Sequence, residues 1–219
     1  MRQHLIIRKM MLLITLFMSS LFVFGQNINN QIKSTFTDPN SKDIAGEVVL
    51  SEDFEDESLP EGWKIIDNDG DGNNWILANF NDADNPGANG STNYITSASY
   101  INAIGPLTPD NFLITPAINL PNGGTLKYYV SAQDENYPEE HYGIFVSTTG
   151  NNVDDFGDTP LFEETLTGKA KGTKGSRGKN KQGPWSERTV NLPAGTKYVA
   201  FRHYNCTDLY VNMDNYITL

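Results

Sequence analysis

Cysteine is almost absent from this chain: Cys206 stands alone among 219 residues. A single thiol excludes an intramolecular disulfide, so stability must come from packing, with bound metal as the other available source. Basic charge is scarce as well. Lys and Arg number 16 against 27 Asp and Glu, a formal net charge of -11, and such a surface repels nucleic acid and favours cations. No window of helical length carries an apolar stripe at i, i+3, i+4 spacing, and no internal repeat is visible. Beyond residue 25 no apolar run is long enough to cross a bilayer.

The one long apolar run lies at the start. "MRQHLIIRKM" supplies Arg2, Arg8 and Lys9, and "MLLITLFMSSLFVF" follows before small residues and Gln26. This is the pattern of a secretory signal over residues 1–25, cleaved near Gly25/Gln26, with the mature protein expected to be secreted or at the surface of a bacterium. Removing it takes three basic residues and no acidic one, so the formal charge of -11 becomes -14. Residues 26–47 are polar and aperiodic and read as a linker; the fold is expected over 48–219.

From Val48 onward short runs rich in β-branched and aromatic residues, among them "EVVLSEDF", "NYITSASY", "GTLKYYVSAQ", "HYGIFVSTTG" and "TKYVAFRHYN", alternate with Gly, Pro, Asn and Asp. The expectation is an all-β, mostly antiparallel protein of about ten short strands, arranged as a β-sandwich of jelly-roll type. One segment departs from this composition. Between Gly168 and Gly183, "GKAKGTKGSRGKNKQG" carries Lys169, Lys171, Lys174, Arg177, Lys179 and Lys181 with no large apolar residue to bury, which predicts a loop. Its charge suits anionic groups such as glycan sulfates, haem propionates or lipid phosphates, and equally suits a solvated surface.

The stretch "DNDGDG" puts Asp67, Asp69 and Asp71 on alternate positions and closes with Gly72. That is the first half of a calcium loop, in which oxygens at positions 1, 3 and 5 converge on a hard cation and a glycine at position 6 allows the turn. Position 12 is Ala78 rather than Glu, and no long helices flank it, so it is not an EF-hand. Calcium needs six to eight oxygens. The remainder must come from elsewhere, with Asp53 and Glu55 in "SEDFEDE" and Asp214 in "YVNMDNYITL" as candidates.

Catalytic arrangements are thin. Cys206 beside His203 or His141 would have the elements of a cysteine hydrolase, against which stands the ordinary reading of a small buried apolar residue. Glycoside hydrolysis needs two carboxylates facing each other across a cleft. The doublets Glu139–Glu140 and Glu163–Glu164 cannot each form such a pair, because neighbours on a strand point to opposite faces.

The segments "FEDESLPEGWKIIDNDGDGNNW", "LTPDNFLITPAINLPNGG", "HYGIFVSTTGN", "LFEETL" and "LPAGTKYVAFRHYNCTDL" resemble, in order, the signature stretches of the cleaved adhesin domains found in the haemagglutinin region of gingipain proteases and in related surface haemagglutinins. The resemblance covers nearly all of the chain from Ser51 to Leu219. It implies a jelly-roll sandwich with structural calcium (Ca2+), side-chain ligands from Glu55, Asp67, Asp69, Asp71 and Asp214, and further oxygens, several from the backbone, from Asp53, Asn73, Ser91, Asn93 and Asn111. It also implies a secreted, non-catalytic adhesin that binds host proteins or cell-surface components, with haemoglobin and matrix proteins among the partners of related domains. The alternative is a carbohydrate-binding, lectin-like module, since jelly rolls with calcium are common lectin scaffolds. For the adhesin role Tyr137 and Trp185 are candidate aromatic anchors, with core packing as the alternative, whereas aromatic platforms on one sheet face would favour the lectin.

Overall fold

A computed structural model describes residues 47–79, 86–167, 182–207 and 210–218. The expected signal and linker, apart from Glu47, lie outside these residues, as does the basic segment from Lys169 to Lys181.

The described residues form twelve strands: β1 Lys64–Asp67, β2 Ile76–Asn79, β3 Asn93–Ala98, β4 Tyr100–Ile101, β5 Gly105–Pro106, β6 Asp110–Ile114, β7 Gly124–Ala132, β8 His141–Ser147, β9 Phe162–Thr165, β10 Ser186–Leu192, β11 Tyr198–Tyr204 and β12 Tyr210–Thr218. The only helical pieces among them are two single 3-10 turns, at Ala88–Gly90 and Val153–Asp155. One five-stranded sheet runs β1-β6-β11-β8-β9, the other β10-β7-β12-β3-β2, and β4 with β5 makes a small ribbon. Every strand pairing is antiparallel. The molecule is an antiparallel β-sandwich of jelly-roll type.

Side-chain alternation explains how the sheets pack. On β7 the residues Leu126, Tyr128, Val130 and Ala132 are buried, while Thr125 and Lys127 face solvent. On β11, Val199, Phe201 and His203 are buried on one side, and Val199 and Phe201 join Leu113, Tyr128 and Tyr142 in the main core. The opposite face of the same sheet is covered too. Phe112, Ile114, Phe145, Ala200 and Tyr204 form a second cluster with Phe156, which the turn at Val153–Asp155 lays over them.

The opening run "EVVLSEDF" forms none of the twelve strands, contrary to its β-rich composition. The reason lies at Phe54, which has φ 54° and whose N–H is taken by the Glu52 carboxylate at 2.8 Å. A left-handed phenylalanine cannot continue a strand, and the conformation costs about 1–2 kcal/mol. Full burial of its ring against Trp63, with centroids 5.2 Å apart, offsets that by about 1.5–3 kcal/mol. The chain therefore bends at Phe54, and its neighbours Asp53 and Glu55 are left exposed.

Candidate functional site

Strand β1 ends at Asp67, paired across to Asn111 of β6. The loop that follows is wound around the Asp67 carboxylate, which accepts Gly70 N–H at 2.7 Å and Gly72 N–H at 2.8 Å. Both glycines sit at positive φ, 72° and 84°, which a side-chain-bearing residue adopts only under strain. Asp71 in turn accepts the Asn73 backbone N–H at 2.7 Å and its amide at 3.1 Å. As a result one carboxylate oxygen from each of Asp67, Asp69 and Asp71 lies within 4.8 Å of the others.

The electrostatics register this crowding. Partial burial, a hydrogen bond with Asp67 and the neighbouring charge of Asp71 raise Asp69 to about 6. Asp67 is lowered, chiefly by the hydrogen bond from Gly72. Asp67 therefore favours its charged form beside an Asp69 that resists charge, an arrangement that a cation would relieve.

A second group of oxygens gathers around Glu55. For this carboxyl, burial alone would raise the pKa, but hydrogen bonds from Thr92 and Asn93 outweigh it and hold it below the ordinary range. Glu55 Oε1 accepts the backbone N–H of Thr92 and of Asn93, both at 2.9 Å, and Oε2 accepts the Thr92 hydroxyl at 2.6 Å. Asn93 returns its amide to the Glu55 carbonyl at 3.0 Å. Asp53 accepts the Glu55 N–H at 3.2 Å, and the Ser91 hydroxyl donates to the Asn93 carbonyl at 3.1 Å. The residues expected to ligate calcium are thus placed in two hydrogen-bonded groups, Asp53–Glu55–Ser91–Asn93 and Asp67–Asp69–Asp71–Asn73, with Asn111 beside the second. Asp214 lies on β12 opposite Tyr129, but its side chain is outside the described residues.

Two observations test whether these residues fit a hard cation. The buried amide oxygens Asn93 Oδ1 and Asn111 Oδ1 have no hydrogen-bond partner among the described residues, although buried polar atoms are nearly always satisfied. In addition, every donor in both groups is an oxygen, as calcium requires. The residues present therefore fit calcium. The Asn111 backbone carbonyl accepts the Trp75 indole N–H at 3.1 Å, which leaves its side-chain oxygen as the freer donor.

The hydrolase elements are arranged otherwise. Cys206 Sγ lies 3.1 Å from His203 Nε2, which also sits 2.9 Å from Glu140 Oε2, and the second Glu140 oxygen accepts the Ser99 hydroxyl at 2.9 Å. His203 Nδ1 meets Ser97 Oγ at 2.9 Å, and Ser97 accepts the Asn111 amide at 3.1 Å. Burial and the Glu140 charge push the Cys206 thiol well up, the opposite of an activated nucleophile. The cluster is a hydrogen-bonded polar plug at one end of the sandwich. Glu163 and Glu164 point to opposite faces as the alternation requires: Glu163 accepts the Tyr204 hydroxyl at 2.7 Å, while Glu164 accepts Tyr142 at 2.5 Å and Arg188 at 2.7 Å. Of the aromatic anchors, Tyr137 is exposed, whereas Trp185 is half-buried, donating to the Pro86 carbonyl and packing edge-on against Tyr94.

Three participants escape the sequence pattern. Thr92, between the expected Ser91 and Asn93, holds both Glu55 oxygens. Asp110 and Arg202, 92 positions apart, form a two-pronged ion pair at 2.5 and 2.9 Å. Only Thr92 has a local signal, its place between Ser91 and Asn93.

The Cleaved Adhesin Domain family matches residues 47–218. Haemagglutinin A of Porphyromonas gingivalis strain W83 is 49% identical over 173 residues, covering 78% of this chain and 8% of that protein. Lys-gingipain W83 of the same organism is 48% identical over 172 residues, covering 77% of this chain and 10% of that protein. The chain therefore spans about a tenth or less of these two curated relatives. Two crystal structures, the K1 and K3 cleaved adhesin domains of P. gingivalis Lys-gingipain, superpose with TM-scores of 0.69 and 0.66 at 46% and 47% identity; they cover 80% and 79% of this chain and 98% and 99% of their own. The matched module is non-catalytic and distinct from the protease domain of the gingipains.

Proposed function

This chain belongs to the cleaved adhesin domain family, and from that premise we propose that it is a secreted adhesin module, stabilised by calcium, which attaches to host proteins or cell-surface components. The observation that supports calcium is the pair of buried, partnerless oxygens Asn93 Oδ1, in the Glu55 group, and Asn111 Oδ1, on the residue paired with Asp67 across β1 and β6. Calcium bound there would supply positive charge to the clustered carboxylates and fix the loops between β1 and β2 and before β3. Asp67, Asp69 and Asp71 would hold it at the first loop, with Glu55 and Asn93 at the second. Secretion rests on the leader pattern of residues 1–25; among the described residues no helix is long and apolar enough to cross a membrane.

The partner is expected on the erythrocyte surface or in haemoglobin, in keeping with the haemagglutinin relatives. The test measures adhesion of the protein to erythrocytes and to immobilised haemoglobin, with calcium and with excess chelator. Adhesion that is strong with calcium and weakened by chelator supports the proposal. Absence of adhesion to either target under both conditions removes it.

A further inference from the structure

Beside the ion pair of Asp110 and Arg202 the surface opens into a cavity of about 370 Å³, within the range of small-ligand sites. It lies where β6 begins and β11 ends, and its wall includes Thr108, Asp110, Arg202, Tyr204, Asn205 and Thr207. Its floor is rigid. The Arg202 guanidinium forks onto both Asp110 oxygens and lies 4.7 Å from the Tyr204 ring centroid, 5.0 Å from Phe112 and 5.6 Å from Phe145. Asn68 adds a third bond to Asp110, its amide donating at 2.6 Å to Oδ2, the oxygen that also accepts Arg202 Nη2. The site is thus organised before any ligand arrives.

Its rim is under backbone strain. Thr108 and Asn205 both have positive φ, 51° and 55°, two of the four such non-glycine residues described. A β-branched residue seldom adopts this conformation, and such outliers concentrate at ligand sites. Both lie in the wall of the same cavity and both are exposed. Among the described residues neither the Asn205 amide nor the Thr207 hydroxyl has a hydrogen-bond partner, and the same holds for Arg202 Nη1.

We infer that this cavity binds one sugar residue of a surface glycan. The charges of Arg202 and Asp110 cancel within the pair, so the site offers no net attraction to an anion or a cation. What it presents is a mixture of donors and acceptors at close range: guanidinium N–H, carboxylate oxygen, amide and hydroxyls. That mixture matches a neutral ring carrying adjacent hydroxyl groups, each of which donates and accepts. The inference rests on the adhesin reading and names a ligand class and a site for it.

The test is saturation-transfer NMR on the full chain with the methyl glycosides of galactose, glucose, mannose, fucose and N-acetylglucosamine. The variants are Asn205→Gly, which tolerates positive φ and removes the amide, and Thr207→Val, which removes the hydroxyl at nearly constant shape. Both positions are exposed, so the fold is not at risk. Wild type is expected to show transfer to at least one glycoside, and the double variant to bind it about tenfold more weakly. No transfer to any glycoside, or affinity unchanged in the double variant, overturns the inference. Erythrocyte adhesion of the same proteins separates the two readings: adhesion by a wild type that binds no glycoside leaves the adhesin standing and removes only the sugar site.

Discussion

The Asn68 side chain donates to Asp110 at 2.6 Å and its backbone N–H donates to the Asp110 carbonyl at 3.0 Å. One residue of the acidic loop is thereby fastened, through Asp110, to Arg202 of β11. The loop that gathers the carboxylates and the wall of the neighbouring cavity share a single anchor.

Replacing that anchor should therefore disturb both. Asp110→Ala leaves a half-buried guanidinium without its carboxylate and Asn68 without its acceptor, and is expected to cost about 1.5–3 kcal/mol in urea unfolding. Asn68→Ala removes one prong only and should cost about 1 kcal/mol. A cost for Asp110→Ala no greater than for Asn68→Ala would mean that the ion pair is solvated and organises nothing.

Asp69, raised to about 6, binds a proton more tightly folded than unfolded. Its contribution to stability is present below the ordinary carboxylate range and lost as pH rises through about 6. Metal-free protein should gain stability between pH 7 and pH 5 relative to Asp69→Asn, which lacks the group. Asp67 and Glu55 are lowered and titrate below this window. Calcium favours the charged form, so it should raise the melting temperature at pH 7 and bind more weakly as pH falls through about 6. A melting temperature indifferent to calcium and chelator at pH 7 would remove the metal.

Cys206 offers a check on the polar plug. With its thiol buried and its pKa pushed up by burial and Glu140, it should resist a disulfide reagent at pH 8 in the native protein and react at once in guanidinium chloride. Cys206→Ala should cost about 1 kcal/mol in unfolding. Rapid native-state labelling would show that the thiol is open to solvent and ionises readily.

Much of this architecture is legible in the sequence because alternation is local. The pattern of β7, with Leu126, Tyr128 and Val130 inward, needs only its own nine residues to be read. The acidic loop is legible for the same reason: Asp67, Asp69, Asp71 and two glycines fit a turn whose hydrogen bonds span at most five positions. The run "EVVLSEDF" misleads because its fate is decided by a distant partner, Trp63, in whose favour Phe54 gives up strand geometry. The division of the expected ligands into two groups is hidden likewise, since Glu55 and Asn93 lie 38 positions apart and meet only through the fold. No local pattern marks the Asp110–Arg202 pair, which joins neighbouring strands 92 residues apart in sequence.

Attachment and catalysis can be separated at two exposed carboxylates, Glu163 and Glu139. Glu163 touches the Tyr204 hydroxyl at 2.7 Å and His141 at 3.4 Å, a geometry that on its own resembles an acid beside a base. Its strand neighbour Glu164 faces the other side, engaged with Tyr142 and Arg188, so no second carboxylate is supplied from the same doublet. Glu163→Gln, which keeps an oxygen to accept the Tyr204 hydroxyl, and Glu139→Gln should therefore leave the protein folded and its erythrocyte adhesion within about 0.5 kcal/mol of wild type. Asp69→Ala should weaken adhesion indirectly, by loosening the loop joined through Asn68 to Asp110. Measured beside a broad panel of glycoside and peptide substrates, the wild type should show no turnover. Reproducible turnover abolished by Glu163→Gln, with folding and calcium affinity intact, would make this face an active site.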